Sequence, residues 1–288
     1  MPGKNQLSFM ASLDFAQWKP EDILKTLSEI GYKGVGWTLT HFNPRTKSPQ
    51  ELSDLVKLTQ SYGMEISEIV VQQDYVSLDK GVRRDRIELT KECIQAVGEN
   101  GLNVMNVFTG PAPWLPDAPR IPDDISEGEA WGIVLEAFEE ILQAAEKYKV
   151  YLAVEGVFRH LCHDYYTTKH LLDSLPSEYL AINMDPSHGS LYGNDEVWVV
   201  RQWGKKIKHV HVKDAIGIPG VSGRDFMFPL IGEGMIDWRG FFGVLDEIGY
   251  KGFLSVEFES FNYYREVLRS DPVKAAEISM ESLKALIE

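Results

Sequence analysis

Short apolar runs alternate eight times with longer segments of helical periodicity along the 288 residues, and no other feature narrows the fold as much. The runs fall at residues 7–11, 34–39, 65–70, 104–108, 151–155, 180–184, 207–212 and 252–258. Several are bounded by turn residues and too short for helices, as strands buried on both faces should be. The segments between them predict helices at 20–30, 49–62, 84–99, 128–149, 167–175, 196–203, 238–248 and 272–287. Ile133, Ala137, Ile141 and Ala144 illustrate the 3.6-residue period of their buried faces. Pro20 and Pro49 suit first-turn positions, and Gly31, Gly63, Gly101 and Gly249 suit helix ends. Strand–helix alternation repeated eight times predicts an α/β fold, a closed (β/α)8 barrel occupying residues 1–288 as one domain. The octet Leu27-Ser-Glu-Ile-Gly-Tyr-Lys-Gly recurs as Leu245-Asp-Glu-Ile-Gly-Tyr-Lys-Gly. Each copy ends a helix at glycine and enters a strand, as two units of one repeat or as two uses of one good turn.

Composition removes several classes of function. Asp and Glu outnumber Lys and Arg by 43 to 29, a net charge of −14, which disfavours a phosphate backbone as partner. No apolar run approaches the roughly 20 residues that span a bilayer, and the first residues lack the apolar stretch of a signal peptide. Two cysteines, Cys93 and Cys162, provide neither a disulfide framework nor a cysteine-rich zinc site. The expected setting is cytoplasmic, with no nucleic-acid or membrane partner.

The chemistry concentrates at the ends of the last four strands. Glu155, Asp185, His211 and Glu257 each close a short apolar run and are followed by a loop. In a parallel barrel that end is the catalytic face. Three carboxylates and one imidazole make a shell suited to a divalent ion, Mn²⁺ first, with Mg²⁺, Co²⁺ or Zn²⁺ as alternatives. Strand alternation places Ala153, Asn183, His209 and Ser255 beneath them on the inward face, small or polar where a structural layer would favour Val, Ile and Leu. His188, three residues beyond Asp185, can reach an oxygen bound at such an ion or serve as an extra ligand. Lys213, one layer above His211, can hold a polar substrate group or pair with Glu259. The two long loops both follow strands. One carries five prolines around Trp114 between Gly110 and Pro122, and the other, at 214–234, contains Arg224. So many fixed φ angles stiffen the Trp114 loop. It is expected to form a lid or wall, in the same subunit or across a dimer interface, or else a surface loop whose Trp114 packs onto its own helix.

Five motifs resemble the sugar phosphate isomerase/epimerase family of xylose isomerase-like barrels, which includes D-tagatose 3-epimerase. They are Val154-Glu155, Met184-Asp-Pro-Ser-His188, His209-Val-His-Val-Lys-Asp214, Ile231-Gly-Glu-Gly234 and Tyr250-Lys-Gly-Phe-Leu-Ser-Val-Glu257, spread across residues 7–287 in the family's order. The resemblance implies metal ligands Glu155, Asp185, His211 and Glu257, with both glutamates serving as acid/base groups. It implies an isomerase that transfers a proton on a keto sugar or related polyol ketone through a metal-held enediolate. Dehydratases of inosose or dehydroshikimate type use the same enolate. Expected partners are a small carbohydrate substrate and further copies of the chain, in a dimer or tetramer.

The chain departs from the ketose 3-epimerases around the substrate. Phe158 and Leu161 stand where those enzymes have asparagine and glutamate, while Arg159 is kept. Gly217 replaces a usual arginine, leaving Arg224 as the nearest substitute. Trp37, Phe108, Trp114 and Phe158 predict an aromatic rim, suited to a sugar face or a larger glycosidic or aromatic substrate. Expected substrate contacts are therefore His188, Arg224, Lys213, Trp114, Phe158 and Arg159. No glycine-rich phosphate cradle is visible, which favours an unphosphorylated substrate. Three other readings compete: the catalytic subunit of a C-glycoside-cleaving lyase, an endonuclease IV-like phosphodiesterase and a metal-binding protein without catalysis. The second needs extra histidines that residues 104–110 and 214–234 lack.

Overall fold

The computed structural model describes residues 5–287. Eight parallel strands close a barrel: β1 (Leu7–Met10), β2 (Gly34–Thr38), β3 (Glu65–Val70), β4 (Val104–Val107), β5 (Tyr151–Glu155), β6 (Leu180–Met184), β7 (Ile207–Val212) and β10 (Leu254–Val256). Closure comes from pairing of β1 with β10, so that Phe9 aligns with Val256. The two-residue strands β8 (Ile216–Gly217) and β9 (Phe226–Met227) form an antiparallel ladder inside the loop after β7.

Helices α1 (Pro20–Ile30), α2 (Pro49–Ser61), α3 (Lys80–Glu99), α4 (Glu127–Tyr148), α5 (Tyr165–Ser174), α6 (Pro186–Leu191), α7 (Glu196–Trp203), α8 (Trp238–Glu247), α9 (Phe261–Glu266) and α10 (Pro272–Ile287) pack between and around the strands. Local chemistry sets their ends. Ser48 and Ser126 each form a reciprocal capping box, with Glu51 and Glu129. The expected helix at 84–99 starts four residues earlier because the Asp79 side chain accepts from the N–H groups of Gly81 and Val82. Asp164 likewise caps α5 ahead of its expected start. The short helices α6 and α9 and the β8–β9 ladder were not anticipated, being below the length at which periodicity can be read.

The apolar core lies between barrel and helices, where Phe9, Val35, Trp37, Ile69, Val154 and Val212 are all fully buried. Trp37 corrects the expected rim. Its indole N–H donates to Thr59 Oγ1 at 3.3 Å, on α2, because alternation along β2 turns it away from the barrel axis. Inside the barrel the layers are polar: Ser8, Ser67, Glu68, Asn106, Asn183, His209, His211 and Ser255 are each at least nine-tenths buried. Stacked Val, Ile and Leu would fill such a barrel for stability alone.

Candidate metal centre

Glu155, at the end of β5, is held from one side. Its Oε2 accepts from Gln72 Nε2 at 3.0 Å and Asn106 Nδ2 at 3.1 Å, leaving Oε1 to face His211 Nδ1 at 3.4 Å and His188 Nε2 at 3.6 Å. Asp185 follows β6 and caps α6, accepting from the Ser187 N–H at 2.8 Å through Oδ1. Its Oδ2 is buried and lies 3.0 Å from Lys213 Nζ, but no donor is aligned on it. Glu257 follows β10, with Oε2 against Lys213 Nζ and 3.5 Å from His211 Nδ1. One ligand atom from each of Glu155, Asp185, His188 and Glu257 lies within 4.8 Å of all the others.

His211 joins this group through Nδ1 and turns Nε2 to Glu68 Oε1 at 2.8 Å. His209 Nε2 is 3.2 Å from the same oxygen. Glu68, His209 and His211 thus form a second cluster of ligand-type atoms. Sequence reasoning missed Glu68, Gln72 and Asn106. The one signal available for Glu68 was a charged residue inside a strand, between Ser67 and Ile69.

Charge sets the character of the site. Lys213, 3% exposed on its side chain, is the cation among Glu155, Asp185, Glu257 and Glu259, with Glu259 Oε2 at 2.9 Å. Burial opposes a charge on Lys213, but Asp185, Glu257 and Glu259 raise its pKa well above the usual lysine value. Burial also pushes the Asp185 and Glu259 carboxyls up. For Glu155 burial is outweighed by His211, His188 and Lys213, which hold the carboxyl well below its usual range. For Glu257 Lys213 is the main opposing influence, and its pKa is lowered. Against burial, Glu68, Glu155 and Glu257 likewise raise the pKa of His211 well above the usual imidazole value. A divalent cation could take the place of the protons held among these carboxylates, and the unaligned Asp185 Oδ2 offers it a ligand oxygen. The residues present fit such an ion, held by Glu155, Asp185 and Glu257 with His211 or His188.

Other expected contacts divide into two groups. Phe158 sits over the cluster, its ring centroid 5.7 Å from that of His188 and 4.7 Å from that of Phe226. Trp114, 53% exposed, leans on Phe158, His160 and Phe108 at 6.1, 5.2 and 5.9 Å, with Phe108 buried at the base. Phe228 completes the wall, 5.4 Å from His188 and under the Lys213 ammonium. Beside it a cleft of about 340 Å³ runs past Phe228 and Glu259 towards Phe261 and Tyr263 of α9. The two arginines are not held in the buried cluster. Arg224 is 71% exposed and pairs with its neighbour Asp225 at 2.8 Å. Arg159 is exposed, in a left-handed backbone conformation, with its main-chain N–H donating to Tyr192 Oη.

The motif Ile231-Gly-Glu-Gly234 has a structural use. Asp214, 1% exposed, accepts from the N–H groups of Gly232 and Gly234 at 2.9 and 3.0 Å and from Trp238 Nε1 at 2.9 Å. A Cβ on Gly234 would stand 1.9 Å from Asp214 Oδ1, so only glycine lets the loop close on that carboxylate.

Residues 24–286 match the family described as the xylose isomerase-like TIM barrel, and the chain belongs to that family. Inosose dehydratase of Clostridium perfringens is 24% identical over 264 residues, covering 83% of this chain and 82% of that protein. Among solved structures, the IOLI protein with a zinc atom superposes with a TM-score of 0.77 at 17% identity, covering 98% of each chain. D-psicose 3-epimerase superposes with a TM-score of 0.75 at 14% identity, covering 97% of each. No helix among the described residues is long and apolar enough to cross a membrane.

Proposed function

We propose that the chain is a divalent-metal-dependent sugar isomerase or epimerase that moves a proton on a keto sugar or related polyol ketone. The observation that carries this reading is the convergence of two carboxylates, Glu155 and Glu257, on one imidazole nitrogen, 3.4 and 3.5 Å from His211 Nδ1. They come from β5 and β10, separated in the barrel wall by β6 and β7, and so approach a small substrate from different sides. A divalent ion bound there, with Mn²⁺ the first candidate, would supply Lewis acidity that lowers the pKa of a C–H beside a carbonyl. One glutamate takes that proton and the other returns one. Return to the opposite face of the same carbon epimerises it, and return to the neighbouring carbon interconverts ketose and aldose. On Glu155 the proton acceptor is Oε1, because Gln72 and Asn106 occupy Oε2. Lys213 and His188 bind the polar end of the substrate, and Trp114, Phe158 and Phe228 cover its face.

A second reading rests on one contact. Lys213 Nζ donates to His188 Nε2 at 3.0 Å beside Glu257, and this ammonium is a proton donor placed where a departing hydroxyl would need one. Proton removal followed by hydroxyl loss would make the chain a dehydratase, as its relative acting on inosose is named. Incubation with a panel of keto sugars and keto-inositols plus Mn²⁺ in D₂O, followed by NMR, separates the two. Deuterium at carbon with every hydroxyl retained supports the isomerase, and an enone absorbing in the ultraviolet supports the dehydratase. Absence of exchange into any ketone would sink both.

A further inference from the structure

We infer that Glu68 is a positioning residue, a buried carboxylate that fixes the tautomer and orientation of His211 so that Nδ1 is free to bind the ion. The inference rests on the metal-site reading above. Ionised Glu68 only accepts hydrogen bonds, so its Oε1, 2.8 Å from His211 Nε2, requires the ring proton on that nitrogen. In the neutral ring, the form that binds an ion, the lone pair is then on Nδ1, between Glu155 Oε1 and Glu257 Oε2. Without an ion, and against burial, Glu68, Glu155 and Glu257 raise the pKa of His211 well above the usual imidazole value. Asn183 Nδ2 lies 3.1 Å from the same Nδ1, a contact that a bound ion would displace. Carboxylates that orient metal-bound imidazoles in this way also raise the ligand's basicity.

The backbone is shaped to deliver this carboxylate. Between β2 and β3 the register runs from Val35 opposite Ile66 to Gly36 opposite Glu68, so one extra residue is accommodated on β3. Ser67 and Glu68 are consecutive yet both reach the barrel interior, Ser67 through a 2.6 Å hydrogen bond to Ser8, which strand alternation alone forbids. A second irregularity precedes the histidines: Ile182 lies opposite Ile207, but Asn183 lies opposite His209. Gly36 leaves the space that Glu68 fills, since a Cβ there would stand 2.9 Å from Glu68 Oε1 and 3.2 Å from its Cγ. An ionised carboxylate that is 1% exposed is costly without partners, and the two imidazoles are the partners it has.

Calorimetric titration of the chelator-stripped full chain with MnCl₂ tests this with a readout independent of turnover. Wild type should bind one equivalent, and Glu68→Gln should raise Kd by about 10- to 100-fold. In a His211→Gln background, with no ring to orient, Glu68→Gln should change Kd less than about twofold, whereas a merely structural Glu68 would act equally in both backgrounds and overturn the inference. Two equivalents in wild type, one lost in His209→Ala, would overturn it in favour of a second cation site at Glu68. The Glu68 variant need not fold for a decision, because nitrogen-15 NMR of wild-type His211 reports its tautomer directly. With Mg²⁺ bound, a proton on Nδ1 overturns the inference, and a proton on Nε2 with none on Nδ1 supports it. Manganese binding that is insensitive to Glu68 would sink this inference alone, while no binding of any divalent ion would sink the proposed function with it.

Discussion

Replacing Lys213 with methionine should destabilise the metal-free chain strongly, and a divalent ion should reverse most of that loss. Methionine keeps the length and apolar contacts of the side chain but removes the one ammonium set among Asp185, Glu257 and Glu259. With side-chain exposures of 3% for Lys213, 0% for Asp185 and 6% for Glu257, these charges are shielded from water. Removing one partner of such a buried pair costs about 3–5 kcal/mol. For a chain of this size about 2 °C of Tm accompanies each kcal/mol, so the loss should be on the order of 6–10 °C. The assay is thermal unfolding in EDTA at pH 7.5 and pH 5, then with excess MnCl₂. The sign of the pH effect follows from Asp185 and Glu259, whose carboxyls burial raises above their unfolded values. Such groups favour the folded state when protonated and lose that contribution as pH rises through their folded pKa. Acidification should therefore narrow the gap between variant and wild type. A gap under about 1 kcal/mol in EDTA, or one that widens at pH 5, would refute the view that Lys213 balances these carboxylates.

Three further outcomes are expected. Glu155→Gln and Glu257→Gln should each slow deuterium exchange into substrate by about 10²- to 10⁴-fold, because glutamine keeps a coordinating oxygen but cannot accept and return a proton; wild-type exchange in either would remove that residue from the mechanism. Gly234→Ala should cost about 2–5 kcal/mol in denaturant unfolding, since the new methyl displaces Asp214 from hydrogen bonds worth about 1.5–3 kcal/mol each; an unchanged midpoint would show that the loop tolerates the methyl. Trp114→Ala should raise KM about 2- to 10-fold with unchanged manganese affinity, the scale of one lost aromatic contact; unchanged kinetics would leave Trp114 a packing role against Phe108 and His160.

Much of this architecture could be read along the chain, because period and punctuation are local properties. The strands Glu65–Val70, Tyr151–Glu155, Leu180–Met184 and Ile207–Val212 and the helices Pro20–Ile30, Glu196–Trp203 and Pro272–Ile287 coincide with their expected limits. Glu155, Asp185, His211 and Glu257 stood out for the same reason, as ligand-type residues that each end an apolar run. Only the closed barrel decided which atoms face them. Glu68 lies 143 residues from His211, and nothing local announces the register irregularity that turns it inward. Gln72 and Asn106 look like ordinary polar residues until closure brings them to Glu155 Oε2. Trp37 went the other way, a rim residue by composition and a helix contact by strand phase. Arg224 is near the site in sequence, yet its loop gives it Asp225 as a partner in water. Strand period and end residues depend on neighbours a few positions apart, whereas partners across the barrel depend on register and closure, which arise only when all eight strands pair.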